Sequence, residues 1–105
     1  MDQALNRNAA FLRAVRLWFD PLANVVLEEV RCRGWASANF RGARHELAFR
    51  FEGAGADAAA DRFTAALAGA AFDLPGQIVA DVAVIADERR PGCARLRIEA
   101  LTVEG

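Results

Sequence analysis

The chain is short of several chemistries at once. Lys and Tyr are absent, His45 is the single histidine, Ser37 the single serine, and Met1 the single methionine. All 13 basic residues are therefore Arg, and we read the heavy Arg and Ala usage as compositional bias rather than function. Cys32 and Cys93 are the only cysteines; they stand far apart, outside any C-x-x-C context, so neither a disulfide framework nor a tuned redox pair is expected. No apolar run approaches the 18 or so residues of a membrane span. The N-terminus shows no basic segment followed by a long apolar stretch, so a cytoplasmic location is expected. With one histidine and two scattered thiols, three metal ligands at a recognisable spacing are missing, and no metal or other cofactor is expected.

What remains suffices for one domain. A chain of 105 residues can bury roughly two thirds of its unfolded surface without staples. Its 54% apolar and 26% charged content is that of a globular protein. The net charge of −1 argues against a nucleic-acid binder, which needs a basic excess. Charge is unevenly spread: residues 1 to 50 hold 8 Arg and 5 acids (+3), residues 51 to 105 hold 5 Arg and 9 acids (−4). That asymmetry favours a complementary self-association.

The periodicity predicts an α+β fold in the order α-β-β-α-β-β. Residues 3 to 19 read as a helix, with Phe11, Val15, Trp18 and Phe19 near one stripe, stopped by Asp20-Pro21. Val25 to Trp35 follows as a strand whose Glu28-Glu29 pair interrupts the alternation and marks a bulge. In Arg44 to Glu52, Leu47, Phe49 and Phe51 face one way and Arg44, Glu46, Arg50 and Glu52 the other. Asp57 to Ala71 is an alanine-rich helix with acids in its first turns, burying Ala59, Phe63, Ala66, Leu67 and Ala70. Ile78 to Asp87 and the segment from Ala94 form the second hairpin around Pro91-Gly92, with a phase shift at Leu101 and Val103 that suggests another bulge. The expected architecture is a four-stranded antiparallel sheet with both helices on one face.

A self-comparison at an offset of 52 residues aligns Ala48–Gly53 with Ala100–Gly105, Phe11 with Phe63 and Val15 with Leu67. This suggests a duplicated αββ unit, 1-53 and 54-105, inside the single domain 1-105.

Four functional readings follow. Gly53-Ala54-Gly55-Ala56-Asp57-Ala58 fits the G-x-G-x-x-A dinucleotide pattern. Glu52, Asp57 and Asp61 repel phosphate there, and no parallel crossover is expected, so a linker explains the glycines better. His45 with Cys32 or an acid could supply a nucleophile and base, but without a third group the more economical account is core packing. The leading expectation is therefore a non-enzymatic interaction module forming a homodimer through its open sheet face. Trp35, Val79, Ala83 and Ile85 make that face apolar, and Arg31 and Arg33 stand at its rim. The alternative is a small-molecule ligand held in a cleft between the two units, with Trp18, Phe19 and Trp35 as apolar lining and His45 beside them.

Overall fold

The computed structural model describes residues 3–17, 19, 24–69, 74 and 76–104, with side chains from Ala9 onward. Helix α1 (Gln3–Arg16) leads into strands β1 (Asn24–Ala36) and β2 (Arg41–Glu52). Helix α2 (Ala56–Ala68) is followed by β3 (Gln77–Arg90) and β4 (Cys93–Glu104). All pairings are antiparallel and the strand order is β1-β2-β4-β3, so the last strand of each αββ unit lies in the centre. Both helices lie on the face that carries Leu47, Phe49, Phe51, Leu96 and Ile98.

β2 and β4 alternate most strictly, which is why they are central. Ala43, His45, Leu47, Phe49 and Phe51 of β2 and Ala94, Leu96, Ile98, Ala100 and Thr102 of β4 are all buried. Phe11 and Val15 reach this layer from α1, and Ala56, Ala59, Ala60, Phe63 and Leu67 from α2. The buried stripe of α2 thus runs through Ala56 and Ala60, while Ala66 is only half-buried and Ala70 lies outside the described residues. Phe63 meets Phe49 at 5.0 Å edge-on and Phe19 at 5.2 Å; Phe19 meets Phe49 and Phe51 at 5.1 and 5.9 Å. Such tilted and edge-to-face pairs are preferred over flat stacking. α1 ends at Arg16, short of residue 19: amides of Leu17 and Phe19 bond back three residues to Ala14 and Arg16 carbonyls, tightening the last turn.

The bulges sit on the edge strands. In β1 the register shifts between Leu27 and Glu29, where the two glutamates break the alternation. β4 has no register shift; the two further bulges are in β3, at Ala80 and Ile85. The phase at Leu101 and Val103 misleads because an apolar residue faces out while polar Thr102 faces in. Thr102 is tolerated inside because its hydroxyl donates to the Ala43 carbonyl (3.3 Å) and accepts from His45 Nε2 (3.1 Å).

The 52-residue alignment fares unevenly. Phe11 and Phe63, and Val15 and Leu67, are buried in matching roles. The Ala48–Gly53 match is not followed by the backbone: Phe49 faces the helices, whereas its aligned partner Leu101 faces away. With β2 facing in at odd positions and β4 at even ones, an even offset cannot superpose them.

Gly42 is required by packing. A Cβ there would stand 1.9 Å from the Thr102 carbonyl oxygen and 2.8 Å from two ring carbons of Trp35. Gly34, across the β1–β2 hairpin, has its nearest such neighbour at 3.9 Å. Gly42→Ala is expected to cost about 3 kcal/mol. Gly34→Ala should be neutral or stabilise by about 0.5 kcal/mol through the unfolded state. Urea unfolding of the two variants beside wild type checks the contrast, and equal midpoints would contradict it.

Candidate functional site

The face of the sheet opposite the helices carries Trp35, Ala83, Arg31 and Arg33 of the sequence-expected surface residues, and no described element covers it. The β1 bulge explains its centre. Because one residue drops out of register, Glu28 and Glu29 both point to the open side, where four arginines converge. Arg50 Nη1 and Arg95 Nε donate to Glu28 at 3.0 and 2.9 Å. Arg97 Nη2 donates to Glu29 at 2.7 Å, and Arg31 pairs with the same carboxylate. Arg50 also holds Glu52 at 2.6 Å, and Arg44 pairs with Glu99 across the β2–β4 seam. The result is a lattice of alternating charges from β1 to β4.

Burial works against ionised Glu28, but the hydrogen bonds from Arg95 and Arg50 outweigh it and hold its carboxyl below the usual carboxylate range. For Glu29 the Arg97 hydrogen bond is the main cause of a shift in the same direction. Small residues on either side of Arg97, Ala48 in β2 and Ala86 in β3, leave a groove of about 520 Å³ edged by Glu28, Glu29, Glu88 and Arg95. Glu28, Glu29, Arg95 and Arg97 are ion-paired there, and the groove's lining carries no thiol, hydroxyl or imidazole to act as nucleophile or base.

Toward the β1–β2 turn the lattice gives way to apolar side chains. In register, Trp35, Gly42, Val103 and Ile78 form one row across all four strands on the open side. Ile78 is 60% exposed, Val103 and Trp35 are half-buried, and the Trp35 ring lies against Gly42. Leu101 extends the row by one step. Phe40, in the turn itself, is 58% exposed.

The expected interface residues therefore separate. Trp35, Ala83, Arg31 and Arg33 do stand on the open face. Val79 does not: it pairs with Thr102 and packs against the core, because the Ala80 bulge reverses the parity expected for the start of β3. Ile85 is the unregistered residue of the second bulge and is 46% exposed. Ile78, its neighbour in the alternating run, stands outside in its place. Bulges in β3 carry no glutamate pair to announce them, so alternation alone could not locate this row.

Of the residues expected to line a ligand cleft, the structure places His45 in the core and Phe19 half-buried beside it. His45 is fully buried beneath Phe11, with ring centres 4.8 Å apart, and Phe19 belongs to the phenylalanine cluster. Trp18 lies outside the described residues. Cys32 does sit opposite His45 in the β1–β2 register, yet the imidazole that would serve as its base is sealed from substrate and bonded to Thr102. Among the described residues no group of three His, Cys, Asp or Glu side chains is placed to hold a metal. In the glycine turn, Gly53 adopts φ of 101° and donates to the Gly92 carbonyl, while Ala56 donates to Gly53. The first acids of α2 meet an arginine instead of repelling a ligand: Arg89 of β3 reaches Asp57 and Asp61 as well as Asp87.

The carboxylate shifts give a pH signature. A carboxyl depressed in the folded state stabilises above its unfolded pKa, about 4.3 for Glu, and that contribution is lost as pH falls through the folded value. Glu29→Gln should therefore unfold at lower urea than wild type at pH 7, with the gap narrowing as the pH falls below the unfolded carboxylate range. A gap unchanged by acid would show that Glu29 contributes through packing alone.

No family model, curated protein or solved structure matches the chain.

Proposed function

We propose that the chain is a non-enzymatic interaction module that self-associates as a homodimer through its open sheet face. The observation that carries this reading is the apolar row Trp35–Gly42–Val103–Ile78, which crosses the whole sheet on the side left bare by both helices. A two-layer domain with one bare sheet face gains by covering it, and a twofold contact uses the same patch twice. Charge supports a second copy as occupant: the lattice beside the row presents arginines and glutamates in alternation, so it meets its own twofold image without a field of one sign. The buried imidazole favours a binding role over catalysis. Two unbridged thiols fit the cytoplasm as the compartment of this module, and no described helix is long and apolar enough to cross a membrane.

Ile78→Arg places a charge in the most exposed position of the row. It should raise the dissociation constant of the assembly at least tenfold, about 1.4 kcal/mol, with an unchanged circular dichroism spectrum. Light scattering over a concentration series reads the result. A wild-type chain that stays monomeric at concentrations on the order of 1 mM, a contact weaker than about −4 kcal/mol, would overturn the proposal.

A further inference from the structure

The two edges of the sheet differ. β3 interrupts its register twice, at Ala80 and Ile85, and ends in four charged residues, Asp87 to Arg90. Both devices discourage another strand from pairing there. β1 has its one bulge near the start and then runs from Glu29 to Ala36 without a break against β2, leaving its other side free of any described strand. On the helix side of that stretch, Val30 is 38% exposed, Cys32 is half-buried beside it, and Leu27 just before the bulge is 36% exposed. These are core-facing positions that the described helices leave partly uncovered.

The open side of the same strand reads Glu28, Glu29, Arg31, Arg33. Charges on an edge ordinarily deter pairing, but these are segregated, with acids in the first half and bases in the second. A parallel copy would set like against like, whereas an antiparallel copy sets acid against base from both ends. Arg33, which faces Arg44 in the β1–β2 register, makes no ion pair among the described residues.

We infer that β1 pairs antiparallel with β1 of a second copy, extending the four-stranded sheet to eight strands and covering Val30, Cys32 and Leu27 on the helix side. This contact is separate from the face-to-face one proposed above. Where the axis of this edge contact and that of the face contact meet at right angles, the two close into a tetramer of two such sheets, face to face.

The test compares masses by light scattering for wild type, Val30→Lys at the edge, Ile78→Arg at the face, and the double variant. Because Val30 is partly exposed, lysine there should leave the fold intact, which circular dichroism checks. Val30→Lys is expected to halve the assembly mass, both alone and in the Ile78→Arg background. Arg33→Glu, at an exposed position, should weaken the edge contact at least tenfold in low salt, and amides of residues 29 to 36 should exchange more slowly as concentration rises. A face that fails while the edge holds appears as an Ile78→Arg chain of unchanged mass beside a halved Val30→Lys chain. Unchanged mass for Val30→Lys in both backgrounds, or concentration-independent exchange in β1, would overturn the edge inference.

Discussion

The unbroken pairing of β2 with β4, from Gly42↔Val103 to Glu52↔Cys93, is the constraint on which the rest of the molecule depends. Side chains on a strand alternate strictly, so one uninterrupted ladder assigns every residue of both central strands to a face. It sends Leu47, Phe49, Phe51, Leu96 and Ile98 under the helices and gathers Arg44, Arg50, Arg95, Arg97 and Glu99 on the other side. Both helices can then be alanine-rich or short, because the ring cluster of Phe49, Phe51, Phe63 and Phe19 supplies the bulk of the core.

Irregularity is confined to the outer strands, where a bulge disturbs one ladder instead of two. In β1 the bulge has an electrostatic consequence. Two neighbouring glutamates that would point to opposite faces are turned to the same one, and each meets two arginines from different strands. In β3 the two bulges exchange Ile78 for Val79 on the open face and keep Val82 and Val84 against the helices. The Arg89 guanidinium then ties that strand to the first turns of α2 through Asp57 and Asp61, with Asp87 beside it.

The open face is consequently of two kinds. Most of it is a paired charge lattice, in which individual exposed ion pairs contribute modestly to stability and chiefly fix side-chain positions. One end is apolar and spans every strand. The buried imidazole, the thiols on separate strands and the apolar row are the observations on which the proposed contact role rests.

The sequence alone determined the element order, the antiparallel sheet, the single-sided helices and the first bulge, because each rests on local periodicity or on a visible interruption such as Glu28-Glu29. It also placed Trp35, Arg31 and Arg33 on the outer face, since β1 keeps strict alternation beyond its bulge. Only the tertiary structure decided that Ile78 faces out and Val79 in, that Thr102 is buried as the partner of His45 and Leu101 is not, and that the two αββ units are out of phase in their final strands. In an alternating run of Val, Ile and Ala both faces are apolar, so periodicity cannot choose between them; the choice belongs to the neighbouring strand, whose hydrogen bonds set the register.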